Sequence, residues 1–283
     1  MTNFGGSEVI YGFDESRIIV IPVPYDGTST YMKGSDKGPQ AILDASYNLE
    51  FYDIETGTEA HKQGIFTIAP VAGHDTPESM VEDVRGVCRS LYEGGRFPVV
   101  IGGEHSVSIG AIQAAAERFS NLSVLQIDAH ADLRDEYLGS RYNHACVMAR
   151  AREVAPIVQV GIRSMSLEEL PNADRGRMFC AHELWSDKSL YERALSLLTD
   201  NVYITIDLDG FDPGIMPSTG TPEPGGPPYR EIMNFLREVI ARRNVVGFDV
   251  VELCPSPVNK APDFMAARII YQLLSYNYLK SER

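Results

Sequence analysis

Cysteine is scarce, with four in 283 residues, at Cys88, Cys146, Cys180 and Cys254. None forms a CxxC pair, and the spacings are too wide for the dense framework of a small disulfide-stapled domain. Reduced thiols in a cytoplasmic protein are therefore expected. No run of roughly 18 apolar residues occurs, so no membrane-spanning helix is expected. Residues 1–6 lack the basic-then-apolar profile of a secretion signal. Basic residues are also in deficit, 25 Lys and Arg against 39 Asp and Glu, for a net charge of −14. Such a surface repels nucleic acid and anionic membranes and draws in cations, although solubility alone would also account for it. There is no internal repeat, low-complexity stretch or obvious linker, and residues 1–283 read as a single domain.

What the chain does have is alternation. Eight short apolar stretches, at 18–22, 65–69, 98–101, 123–127, 157–160, 178–180, 202–206 and 245–250, are mostly continuous and rich in Val and Ile. Continuous runs of this kind belong to strands buried on both faces, as in a parallel sheet. Helical patterns fall between them, at 39–51, 77–93, 106–118, 189–198, 229–242 and 261–279. Pro39 suits a first helical turn and Gly94-Gly95 a helix stop. The expected fold is α/β, a single three-layer α/β/α domain around a mostly parallel eight-stranded sheet. Open parallel sheets bind ligands outside the carboxyl ends of their strands. Every chemical motif in this chain follows such an end.

The strongest motif is Asp128-Ala129-His130-Ala131-Asp132, three metal-capable side chains alternating with small residues. If the strand continues past Ile127, a period of two puts all three on one side. Charges packed this densely need a compensating cation. The second motif is Asp207-Leu208-Asp209 at the end of another apolar strand. Alone, Asp-x-Asp is common in turns. The third is Gly102-Gly103-Glu104-His105-Ser106, where a His opens a helix after a glycine turn. Together they supply two imidazoles and four carboxylates, a donor set suited to Mn(II), or to Fe(II), Co(II), Ni(II) or Zn(II). Six donors exceed the three protein ligands of a typical catalytic zinc, so two metals sharing carboxylates fit better.

On these motifs the chain resembles the ureohydrolase (arginase and agmatinase) family, from about residue 23 to residue 274. The family motifs Gly-Gly-x-His-Ser, Asp-Ala-His-x-Asp and Ile-Asp-x-Asp-x-x-Asp-Pro all occur in order. The resemblance implies an arginase-like fold and two Mn(II) ions. It implies that His105, Asp128, Asp132 and Asp207 hold one ion and that Asp128, His130, Asp207 and Asp209 hold the other. Asp132 would also accept a hydrogen bond from a metal-bridging hydroxide, which attacks the guanidinium carbon. His144 matches a histidine near the site mouth that moves protons or supports substrate. Glu252 matches the carboxylate that pairs with the guanidinium, a planar donor fork that a carboxylate can accept in bidentate fashion. Thr221 or Glu223, in the shared stretch 219–226, could touch substrate or simply form a turn. Relatives are commonly trimers or hexamers, which implies a homotrimer or homohexamer. Glu104 stands where many relatives carry Asp, and Ala145 follows His144 where arginases carry Gly.

The loop at 133–144 is close to that of agmatinases and unlike the Asn- and Ser-bearing loop with which arginases hold an α-carboxylate. Agmatine is a dication, and an acidic protein favours a small cationic guanidino substrate. The expected reaction is agmatine plus water to putrescine plus urea. Guanidinobutyrase and arginase activities are the alternatives. An anionic substrate would need a base near the mouth, which Arg134, Arg141 or Arg163 could provide. A non-enzymatic scaffold would be marked by a missing metal ligand, and none is missing. Trp185 is expected in packing, and Cys146 and Cys254, each two residues from a site residue, could line the pocket but read better as small buried thiols.

Overall fold

The computed structural model describes residues 3–281. Its strands are β1 (Ile18–Val23), β2 (Ile65–Thr67), β3 (Phe97–Gly102), β4 (Leu122–Ile127), β5 (Ile157–Ile162), β6 (Met178–Cys180), β7 (Asn201–Asp207) and β8 (Asn244–Val251). They form one eight-stranded sheet in the order β2-β1-β3-β8-β7-β4-β5-β6, and every pairing is parallel. The last strand in sequence is thus central, between β3 and β7. The two edge strands are three residues each, short enough to offer little template to another chain.

The helices are α1 (Gly38–Ser46), α2 (Pro77–Glu93), α3 (Val107–Arg118), α4 (Val147–Ala151), α5 (Ala181–Ser186), α6 (Leu190–Ser196), α7 (Tyr229–Arg242) and α8 (Ala261–Ser281). Continuous apolar strands are explained by the layers they separate. Ile18 and Val20 face one core with α1, α6, α7 and α8, whereas Ile19 and Ile21 face another with α2, α3 and α4. The same alternation runs through Val99, Val100 and Ile101 on β3. Each strand must therefore be apolar at both parities.

Local signals set most boundaries. Thr76 caps α2 by accepting the backbone N–H of Ser79, with Pro77 in the first turn, and Gly94 ends it. α1 stops at Ser46, short of the expected residue 51. The chain turns there through N–H bonds from Asn48 to Ala45 and from Leu49 to Ser46, so that Leu49 and Phe51 enter the core. Phe51 then meets Tyr271 edge-on at 5.2 Å. The short α4 and α5 lie outside the helical patterns of the sequence. Among the described residues no helix is long and apolar enough to cross a membrane.

Candidate metal centre

Four adjacent central strands, β3, β8, β7 and β4, end at one crevice and carry the three motifs to it. β3 leads through Gly103, whose backbone packs so closely that an added Cβ would sit 2.0 Å from the Tyr25 carbonyl oxygen. That contact sets His105 at the start of α3, almost fully buried. β4 delivers Asp128. Beyond it the backbone does not stay extended as alternation predicts. His130 makes only an isolated bridge to Ser164, and Asp132 takes a left-handed conformation, φ 52°. Asp132 reaches the crevice by this turn, a strained one for a residue with a Cβ. Its carbonyl is then fixed by the N–H groups of Met148 and Ala149 on α4.

The donors converge. His105 Nδ1 lies 3.1 Å from Asp128 Oδ2, 3.0 Å from Asp132 Oδ2 and 3.3 Å from Asp207 Oδ2. His130 Nδ1 lies 3.0 Å from Asp209 Oδ2 and 3.7 Å from Asp128 Oδ1. Two groups could hold a metal ion, His105 with Asp128 and Asp132, and Asp128 with His130 and Asp209. Asp128 belongs to both. Asp207 falls outside these two tightest groups, although its Oδ2 faces His105 and its Oδ1 accepts the Asp209 N–H at 2.8 Å. Gln126 orients Asp128 by donating to its Oδ2 at 2.7 Å, and Gln159 in turn donates to Gln126.

Burial and charge suit this cluster to a cation. His105 Nδ1 is buried and has no hydrogen-bond partner, although three carboxylates surround it. An orphaned donor position among buried acids is costly in a protein interior and is relieved by a metal ion. The titration pattern agrees. Burial and the Asp128 charge push the Asp132 carboxyl up to about 7. Burial, then Asp209 and Asp128, hold Asp207 well above the usual range. Burial opposes charge on His130, but Asp209 and Asp128 outweigh it and push the imidazole up to about 12. Without a cation the site keeps protons where carboxylates and imidazoles would otherwise be free to ligate. The residues present fit divalent metal.

A cavity of about 180 Å³ opens onto both groups and is also lined by His144, Thr221 and Glu252. Glu252 follows β8 with φ 67° and is almost fully buried. Burial, then Glu104 and Asp209, raise its carboxyl well above the usual range. One oxygen, Oε1, is already committed to the His105 backbone N–H at 2.8 Å. His144 is held at ring and backbone by Thr28 Oγ1, 3.1 Å from Nδ1 and 2.9 Å from its own N–H. Burial, then the charge on His105, lower its imidazole to about 4. Thr221 Oγ1 stands 3.4 Å from Asp209 Oδ2.

Other expectations are corrected. Glu223 does not line the cavity, and its carbonyl accepts from Arg163. Arg163 is no free base, because its guanidinium donates to the backbone carbonyls of Gly161, Asp209, Gly210, Phe211 and Glu223. Arg141 pairs with Asp135 and Glu153 outside the cavity. Arg134 does line it, as expected, where it pairs with the exposed Glu168 at 2.9 Å and stacks 4.5 Å over Tyr137. Trp185 is half exposed rather than packed. Cys146 is buried, as expected of a small thiol, and Cys254 partly so, and neither lines the cavity. Tyr137 and Met165 line the cavity but carry no motif that would expose them in the sequence.

Comparison with known proteins places this geometry in context. Residues 16–275 match the model of the arginase family. An N(1)-aminopropylagmatine ureohydrolase of Synechocystis sp. is 40% identical over 95% of this chain and 92% of that protein. An agmatinase of Pyrococcus horikoshii is 33% identical over 92% of each. The crystal structure of an agmatine ureohydrolase of Thermoplasma volcanium superposes with a TM-score of 0.90 at 28% identity, covering 100% of this chain and 96% of that one.

Proposed function

The chain belongs to the arginase family, and from that premise we propose that it hydrolyses the guanidino group of agmatine, releasing urea and putrescine. The observation that carries this reading is Glu252, a buried carboxylate in the same narrow cavity as both metal-capable groups. A guanidinium brought against it neutralises a charge that the interior disfavours. With Oε1 taken by the His105 N–H, Oε2 is the freer acceptor for the substrate. A cavity below the ~300 Å³ of common small-molecule sites suits a slender linear cation. Arg141 and Arg163 are engaged away from the cavity, so of the three only Arg134, paired with the exposed Glu168, stands where an anionic tail could meet it.

His105, Asp128, Asp132 and Asp207 would hold one divalent ion, and Asp128, His130, Asp207 and Asp209 the other, with Mn(II) the proposed metal. When bound, such a pair supplies an activated water at neutral pH and offsets developing negative charge. Asp132 would accept a hydrogen bond from the attacking water and hold its proton. Glu252 orients the guanidinium plane towards that water. His144, lowered to about 4 and so neutral at pH 7, would act as a relay at the cavity wall, taking up the proton held by Asp132 and passing it to the departing amine. Thr221 closes the wall beside Asp209. The protein is further proposed to be cytoplasmic and to assemble as a homotrimer or homohexamer.

A second substrate has its own support. The 40% identical relative is named for N(1)-aminopropylagmatine, whereas the agmatinase is 33% identical. The same chemistry on that compound would release urea and an aminopropyl-extended diamine. Urea release with Mn(II) from agmatine, N(1)-aminopropylagmatine, arginine and 4-guanidinobutyrate in parallel tests the proposal. Highest kcat/KM on agmatine is the expected result. Preference for the extended compound would move the assignment to the second substrate, and preference for arginine would exclude both.

A further inference from the structure

Asp249 lies fully buried in the central strand β8, and no step of the proposed reaction uses it. A carboxylate in the middle of a parallel sheet is costly to retain. Its Oδ2 has no hydrogen-bond partner, and its Oδ1 lies 2.6 Å from Thr205 Oγ1. Thr205 is its register partner on β7, also fully buried. The same Thr205 oxygen lies 2.9 Å from His105 Nε2. The Ser108 and Tyr203 hydroxyls stand beside the carboxylate, but its short hydrogen bond is to the hydroxyl that also faces His105.

A hydroxyl has one proton to give. With that proton donated to Asp249 Oδ1, Thr205 Oγ1 can only accept from His105, which places the imidazole proton on Nε2. A neutral imidazole has a single N–H, so Nδ1 is left with its lone pair, aimed between Asp128, Asp132 and Asp207. That is the form a metal ligand requires. The β-branched Thr205 is stiff about χ1, which keeps the oxygen in line with both partners. We infer that Asp249 and Thr205 are positioning residues that fix the tautomer and ring orientation of His105 for a divalent cation. The inference rests on the metal-centre reading.

The test measures Mn(II) affinity of the full-length, chelator-stripped chain by competition with a chelating dye, alongside melting curves with and without Mn(II). Thr205→Val keeps the shape and removes the hydroxyl, and is expected to weaken binding of one ion by about 10- to 100-fold. Thr205→Ser is expected to restore binding. Asp249→Leu removes the acceptor and the buried charge together, so metal affinity is expected to fall while the metal-free melting temperature does not. A purely structural role gives the reverse, a lower melting temperature with unchanged affinity. Wild-type affinity in both Thr205→Val and Asp249→Leu overturns the inference. Should one of these not fold, the other decides by the same measurement. Absence of Mn(II) binding by the wild-type chain overturns the metal centre itself.

Discussion

Glu252 accepts the backbone N–H of His105 at 2.8 Å, which ties the acid after β8 to the imidazole that opens α3. The proposed guanidinium acceptor and a proposed metal ligand are therefore one mechanical unit, joined across 147 residues of sequence. Replacing Glu252 by Gln keeps an oxygen for that N–H and removes the charge. Loss of a buried partner for a cation costs about 3 kcal/mol, or about 100-fold in kcat/KM. Urea release should fall by at least that factor while bound Mn(II) stays at wild-type level. Parallel loss of metal would show that Glu252 acts through His105 instead.

Stability of the metal-free protein should depend on pH in a definite direction. His130 is pushed up to about 12 from 6.5, so its contribution is complete below about 6.5 and drains away as pH rises towards 12. Asp132, raised to about 7 from 3.8, is also more protonated when folded, and its contribution falls between those values. His144, lowered to about 4 from 6.5, works oppositely between those values and offsets Asp132 there. Above about pH 7 the decline from His130 dominates. Thermal melts of stripped protein from pH 6 to 9 should therefore fall with pH, and added Mn(II) should remove the slope. A flat stripped profile would count against the charge pattern described for the site.

Gly103→Ala forces a Cβ to within 2.0 Å of the Tyr25 carbonyl, a backbone atom that cannot rotate away. Overpacking of this severity costs about 2–4 kcal/mol. Denaturant titration should show that loss, and the displaced His105 should lower metal content as well. Unchanged stability would mean that the loop at 24–28 yields more easily than its hydrogen bonds imply.

Arg163→Met removes a guanidinium that holds five carbonyls around Asp209 and the 219–226 loop. Charged hydrogen bonds of this sort make the expected cost about 3 kcal/mol. Because the clasp is on backbone rather than substrate, KM for cationic and anionic guanidino compounds should change by similar factors. A selective loss with the anionic compound would restore Arg163 as a substrate contact.

Much of this architecture is legible in the amino-acid sequence itself. The eight strands fall within a few residues of the apolar runs, because burial on both faces leaves an uninterrupted Val and Ile signal. Asp128, His130, Asp132, Asp207, Asp209 and His105 come together in the crevice as their motifs imply. What the sequence hides depends on distance and on backbone freedom. Asp132 breaks the alternation because its φ is positive. α4 and α5 are five and six residues long, too short to display a helical period. Thr205 looks like any β-branched strand residue until β8 lies beside it. Arg163 reads as a free base until its carbonyl partners, up to 60 residues away, are in view.

The place of β8 also governs when the site can exist. Residues 244–251 are the only link in the sheet between β2-β1-β3 and β7-β4-β5-β6, so without them each set would be left with an unpaired inner edge. His105 belongs to the first and the five aspartate and histidine donors of β4 and β7 to the second. A single late strand covers both edges and brings the two donor sets together. During synthesis the chain thus carries two open templates for mispairing until its C-terminal part emerges. A chain ending before β8 would lack the one strand that joins the two donor sets.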